Sequence, residues 1–209
     1  EPIDNNFLYL TYNRNPRHHR KVLLSRMLNK NLLQYGRISM NKFETANYDE
    51  LANEDPIKRL HDLTPIIIDK SLDINWANDV TTNDYTYTFM SIVTESLTDK
   101  NTLFLSEKIF KPIATGHPFM VIGNKGTLKK LREFGFMTFD RWFDESYDME
   151  PDPLQRFEMI KNEIIKISKL SVDEMESIHK ELYPILIHNR NNIKNIQDNN
   201  AKKIQSLWK

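Results

Sequence analysis

Three short stretches carry residue types and spacings suited to chemistry on anions and hydroxyls. The first is Ser106-Glu107-Lys108. Ser106 reads as a helix N-cap, because its hydroxyl can accept an orphan amide N–H of the first turn. Glu107 follows where a carboxylate suits the positive end of a helix. Ile109, Phe110 and Ile113 then give an apolar face at helical spacing. In open α/β sheets phosphates bind at such helix starts, beside the carboxyl ends of strands. The same three residues also suit an ordinary helix start with a solvated lysine.

The second stretch is Asn13-Arg14-Asn15-Pro16-Arg17-His18-His19-Arg20, placed after the β-prone run Phe7 to Tyr12. Pro16 fits a first helical turn. The Gly-x-Gly-x-x-Gly dinucleotide fingerprint is absent. Arginines can replace glycine-rich backbone contacts by forking onto phosphate oxygens. Cations at a helix N-terminus oppose its dipole, so Arg14 and Arg17 either meet an anion there or form a basic surface loop. His18 and His19 are adjacent, point to different helix faces and lack a third ligand at a telling spacing. They read as partly exposed helix-start residues.

The third is Thr94-Glu95-Ser96, which ends the β-prone run Tyr85 to Val93. A carboxylate at the carboxyl end of a central strand is poised for a ligand hydroxyl or for a catalytic role. Trp76, between Asp73 and Asp79, could stack on a base or sugar, although packing in the core is its commoner use. Asp144, Glu145 and Asp148 cluster near Trp142 but lack a histidine or a further acid in register for a metal.

The elements that must position these residues follow a simple order. Phe7 to Tyr12 is a strand, Pro16 to Leu33 an amphipathic helix ended by Gly36, and Arg37 to Met40 the next strand. A polar, irregular stretch from Asn41 to Asp84 holds a short helix near Asp55 to Leu63. After the Tyr85 to Val93 strand, Leu97 to Thr102 is a polar loop. The helix begun at Ser106 meets Pro112 near its middle, which predicts a bend or a later start. Gly116 suits its C′ position, and Pro118 stops it. Phe119 to Ile122, closed by Gly123, is a short apolar strand. Thr127 to Phe134 is a helix ended by Gly135, and Phe136 to Phe139 a further strand. Leu154 to Leu170 is amphipathic. Ser171-Val-Asp-Glu174 is a capping box opening a helix that reaches Pro184, before an Asn/Lys-rich helical tail ending in Leu207 and Trp208. The expectation is an α/β fold, a Rossmann-like parallel sheet with flanking helices. Residues 1–150 would form the core, and C-terminal helices over 151–209 would pack on it.

Composition sets outer bounds. The chain has 209 residues, enough for one domain, with 28% charged and 39% hydrophobic residues. Lysine plus arginine equals aspartate plus glutamate at 29 each, so no global basic field argues for nucleic acid. There is no cysteine, which excludes disulfides and cysteine-ligated zinc. No apolar run reaches the roughly 20 residues of a membrane span, and no signal peptide is visible at the start, so a cytoplasmic location without a membrane span is expected.

Taken in order, these blocks resemble a known family. Tyr87-Thr-Phe, Ser106-Glu-Lys-Ile-Phe and Ala114-Thr-Gly-His-Pro-Phe-Met-Val-Ile-Gly123 are similar to the donor-binding half of GT-B glycosyltransferases. The likeness is nearest to the α1,3-fucosyltransferases and looser to the exostosins. The resemblance implies transfer of a sugar from a GDP- or UDP-sugar to an acceptor glycan or other hydroxyl compound, by an inverting reaction needing no metal and no further cofactor. It implies that Arg14 or Arg17 reaches the donor diphosphate, with Arg20 a less certain third. Asn13, Thr94, Ser106, Glu107 and Lys108 would line the donor site, Glu107 holding a ribose or sugar hydroxyl. Arg14, Lys108 and Glu95 would be the catalytic groups. The family pattern has Phe-Glu-Asn where this chain has Val93-Thr-Glu-Ser, so Glu95 stands one place later. In that family the general base comes largely from an N-terminal acceptor domain. An acceptor-binding domain or a second subunit is therefore an expected partner. A non-catalytic nucleotide-binding module and a phage-type glycosyltransferase acting on DNA bases are the alternatives.

Overall fold

The computed structural model describes residues 7–44, 54–68, 82–98 and 103–206. Trp76 with Asp73 and Asp79, most of the loop after Thr98, and Leu207 and Trp208 lie outside them. Four strands form one all-parallel sheet: β1 (Phe7–Asn13), β2 (Gly36–Met40), β3 (Thr88–Thr94) and β4 (Phe119–Ile122), in the spatial order β2-β1-β3-β4. Every residue of β3 and β4 is buried, as near-continuous apolar runs in a covered parallel sheet should be.

The helices are α1 (His18–Leu28), α2 (Glu54–Leu63), α3 (Thr82–Thr86), α4 (Glu107–Thr115), α5 (Thr127–Glu133), α6 (Pro153–Ile167) and α7 (Val172–Ser206). From β1 the chain crosses by α1 to β2 on one side. From β3 it crosses by α4 to β4 on the other. Right-handed crossovers in opposite directions put α1 and α4 on opposite faces. Their neighbours agree: α1 packs with α2 and α6, and α4 with α3 and α7. The order of strands thus reverses between β1 and β3, from whose carboxyl ends the chain leaves in opposite directions.

One hydrophobic core joins all of this. Phe157, Ile160, Ile164 and Ile167 of α6 and Leu182, Ile185 and Leu186 of α7 belong to the same buried cluster as Tyr9, Phe89 and Phe119. Phe119, Phe139 and Phe143 meet edge to face, with centroids 5.0 Å and 6.2 Å apart along the row, a favoured arrangement of aromatic quadrupoles. Among the described residues, no helix is long and apolar enough to cross a membrane.

Four local expectations need correction. The first helix stops at Leu28, not at Gly36. Asn29 caps it, and Asn31 turns the chain with a left-handed φ of 55°. Gly36 instead opens β2, where any side chain would overlap the ring of Tyr9, whose hydroxyl donates to the Leu32 carbonyl at 3.0 Å. Second, the central strand begins at Thr88. Tyr85 lies in α3, and Thr88 Oγ1 closes the turn onto the Asp84 carbonyl at 2.9 Å. Third, Phe136 to Phe139 forms no strand and, among the described residues, pairs with none. The Asn189 amide on α7 takes both backbone groups of Met137, at 2.8 and 2.9 Å. Fourth, α7 runs through Pro184 without ending, held by buried Leu182, Ile185 and Leu186 on either side of it. Likewise α4 starts at Glu107 and contains Pro112.

Candidate functional site

The site is built where β1 and β3 diverge. Thr94 Oγ1 donates to Asn13 Oδ1 at 2.6 Å, and Asn13 Nδ2 donates to Thr11 Oγ1 at 2.9 Å. These bonds tie the two strand ends together. Asn13 is wholly buried and its amide is engaged inside the protein, whereas Thr94 also borders the open space beyond. The chain leaves β1 toward the start of α1 and leaves β3 toward the start of α4. Between them lies a cavity of about 480 Å³.

The start of α4 is anchored from the sheet. Ser106 caps it, accepting from the Lys108 amide at 3.3 Å. Glu95 sits one residue past β3. Its carboxylate accepts from the Ser106 hydroxyl at 2.5 Å and from the Ser106 amide at 3.1 Å. Glu95 is completely buried and does not line the cavity. At the other end Gly116 adopts φ 70°, the left-handed C′ position that glycine takes without strain. An apolar face of Ile109 and Ile113 fixes the helix against the core, so its first turn is held at both ends and along one side.

The β1–α1 loop supplies the opposite wall. Arg14 and Arg17 border the cavity, Arg17 as the exposed residue before α1. Arg20 is 3% exposed and spans the gap between the two loops. It donates to the Asn15 carbonyl at 3.0 Å and to the Thr94 carbonyl at 2.9 Å. Both partners are neutral, and Arg20 Nε is buried with no hydrogen-bond partner among the described residues. Burial, then the neighbouring Arg17 charge, lower its pKa to about 10 against the pull of Glu95 and Glu107, so it stays a cation at neutral pH. His19 is buried too, with Nε2 2.8 Å from the Glu95 carbonyl, and not partly exposed as its place in the sequence suggests.

The charge around the cavity is one-sided. Among the described residues, Arg14, Arg17, Arg20, Lys42, Lys108 and Lys111 border it, against the single acid Glu107. Lys108 Nζ donates to Glu107 at 2.7 Å and to Ser106 Oγ at 3.2 Å. Partial burial pushes the Glu107 carboxyl up. Its hydrogen bond to Lys108 and the charges of Lys108 and Lys111 outweigh that and hold it below the usual carboxylate range. Lys42 Nζ donates to the His61 carbonyl at 2.8 Å and the Thr64 carbonyl at 3.2 Å, at the end of α2. Leu10, Ile92, Val93 and Tyr85 give an apolar floor. A cationic rim over an apolar floor suits a ligand with an anionic part and a flat or ring-shaped neutral part.

Of the residues singled out from the sequence, Arg14, Arg17, Thr94, Glu107 and Lys108 border the cavity, while Asn13, Glu95 and Ser106 brace it from behind. Arg20, Lys111, Lys42, Tyr12 and Tyr85 border it as well. Arg20 is the less certain third arginine of the sequence reading, and Lys111 was readable as the (i, i+3) neighbour of Lys108 on one helix face. Lys42 had no local signal; the sheet order brings it in. The acids near Trp142 are structural. Asp148 accepts from the Leu128 and Lys129 amides at the start of α5, at 2.8 and 3.0 Å. Glu145 holds Arg132, Thr138 and the Phe139 amide. Among the described residues, no three His, Asp or Glu side chains gather in a way that could hold a metal ion.

The chain matches no protein-family model, no curated protein and no solved structure.

Proposed function

We propose that this chain is the nucleotide-sugar-binding domain of a glycosyltransferase, with a Rossmann-like sheet of the GT-B donor-binding kind. The observation that carries the proposal is the convergence of six basic side chains and the start of α4 on one cavity, at the point where the strand order reverses. A nucleoside diphosphate linked to a sugar has the matching shape and charge. Its diphosphate meets the rim, and its base or sugar rests on the apolar floor.

The same groups meet the electrostatic demand of glycosyl transfer. Negative charge grows on the leaving diphosphate as the sugar–oxygen bond breaks, and fixed cations with helix N-terminal amides stabilise it. Arg14, Arg17, Arg20, Lys108 and Lys111 supply the cations. Glu107, kept ionised by Lys108, accepts a hydrogen bond from a ribose or sugar hydroxyl. Glu95 acts behind them by fixing Ser106. An acceptor-binding domain or second subunit brings the acceptor hydroxyl and its general base.

A second reading, a nucleotide-binding module without transfer activity, also has an observation in its favour. Both carboxylates of the site are engaged inside the protein, Glu95 with Ser106 and Glu107 with Lys108. The two readings separate in one experiment: UDP- and GDP-sugars are incubated with the chain, followed by melting temperature and by release of free diphosphate. A rise in melting temperature with slow release of UDP or GDP supports the transferase. A rise without release supports the binding module only if release is still absent once an acceptor-binding partner is supplied, and no rise with any sugar nucleotide removes both.

A further inference from the structure

Behind the cavity floor lies a buried polar cluster that donor binding alone does not require. His117, just past α4, is 5% exposed and packs edge-on against Tyr85, with ring centroids 5.3 Å apart. Its Nε2 lies 2.8 Å from the Thr88 carbonyl oxygen and its Nδ1 lies 2.8 Å from Ser91 Oγ. Ser91 is 4% exposed, in the middle of β3, and it borders the cavity together with Tyr85.

The protons in this cluster can be assigned by elimination. A backbone carbonyl only accepts, so Nε2 must carry hydrogen to bond Thr88. Burial, against the help of that same bond, lowers the His117 pKa to about 4, so at neutral pH the ring holds one proton only. Nδ1 is therefore bare and accepts, and the Ser91 hydroxyl must donate to it. A serine free in solution can donate or accept. This one has its hydrogen committed, and only its oxygen lone pairs remain.

We propose that Ser91, locked by His117, is a specificity residue that presents an acceptor-only hydroxyl to the cavity and selects a ligand offering an N–H or O–H donor at that depth. The proposal rests on the nucleotide reading of the cavity. The donor is then either an amino group of the base or a hydroxyl of the ribose. His117 is a positioning residue, acting through Ser91. A hydroxyl that can only accept leaves an acceptor-bearing group facing lone pair against lone pair, and a group that lacks the donor leaves the lone pair unmet.

Matched ligand pairs test this by isothermal titration at pH 7.5. GDP against IDP removes the exocyclic amino group of guanine. CDP against UDP exchanges an amino donor for a carbonyl acceptor. ADP against 2′-deoxy-ADP removes a ribose hydroxyl. We expect one pair to show a preference of about tenfold for its donor-bearing member, collapsing to within about twofold in Ser91→Ala. Ser91→Cys, which keeps the shape but offers a poor acceptor, shows the same collapse and stands in if the alanine variant does not fold. His117→Phe frees the hydroxyl to donate, so the donor-lacking member gains affinity while the donor-bearing one keeps most of its own. A merely structural role for either residue lowers both members alike and leaves their ratio unmoved. Pairs equal within about twofold in the wild type, or a preference that survives Ser91→Ala, overturn the inference while leaving nucleotide binding intact. Absence of binding by all six nucleotides overturns the inference and the nucleotide reading together.

Discussion

Arg20 shows how a single residue can be costly to bury and useful once buried. Its guanidinium is held by two main-chain carbonyls, and among the described residues no carboxylate is bonded to it, so its charge is only partly compensated. On the proposed reading, an anionic ligand completes that compensation. Glu95 and Ser106 illustrate the opposite case, a carboxylate and a hydroxyl that satisfy each other. Ser106→Ala removes the helix cap and the partner of a buried acid together. The expected loss is about 1–2 kcal/mol, read from urea denaturation, and Ser106→Thr restores most of it. An unchanged midpoint in Ser106→Ala would mean that Glu95 does not anchor α4. His117 gives a pH dependence with a definite sign. Between pH 6.5 and about 4 the unfolded chain takes up a proton that the folded chain refuses, so stability falls as the pH falls through this window. The slope from this residue amounts to roughly 3 kcal/mol across the window and is absent in His117→Phe. Urea midpoints at pH 7 and pH 4.5 for both proteins measure it, and parallel losses would contradict the assignment.

At the scale of elements, what the sequence shows clearly is what short-range pattern controls. The runs Phe7 to Tyr12 and Phe119 to Ile122 are apolar and β-prone, Arg37 to Met40 follows the first helix, and each lies within a strand. Ser106, Gly116 and the Ser171-to-Glu174 capping box mark helix ends by local hydrogen bonding, and all three do so. The failures are long-range. Tyr85-Thr-Tyr87 has strand propensity, but the Asp84–Thr88 turn and the packing of Tyr85 on Tyr12 and His117 override it. Phe136 to Phe139 has strand composition but pairs with no strand among the described residues; Asn189, 52 residues away, occupies both backbone groups of Met137. Gly36 reads locally as a helix stop, yet its role is to make room for the Tyr9 ring. Gly36→Ala is accordingly expected to cost about 1–3 kcal/mol through overpacking, and far less in a Tyr9→Leu background, where the ring is gone. Melting curves of the two single variants and the double variant decide it. Additive losses would place the strain elsewhere.

For the whole molecule, the charge balance hides the site. Basic and acidic residues are equal in number at 29 each, yet among the described residues the cavity is bordered by six basic side chains and one acidic. Only the strand order brings residues 14–20, 42 and 107–111 to one place, and no local spacing announces Lys42 among them. A field made of such fixed, partly exposed cations is screened by salt, so nucleoside diphosphate affinity is expected to weaken steadily as ionic strength rises and the Debye length shrinks from about 30 Å at 0.01 M to about 10 Å at 0.1 M. Affinity independent of salt would place the anion elsewhere. The most direct measurement of the central claim compares GDP, UDP and their uncharged nucleosides by isothermal titration at low salt, on the wild type and on Lys108→Ala. The account predicts saturable binding of at least one diphosphate, a much weaker response to its nucleoside, and a loss of about tenfold or more in Lys108→Ala. Equal binding of nucleoside and diphosphate, or an affinity untouched in Lys108→Ala, would contradict it.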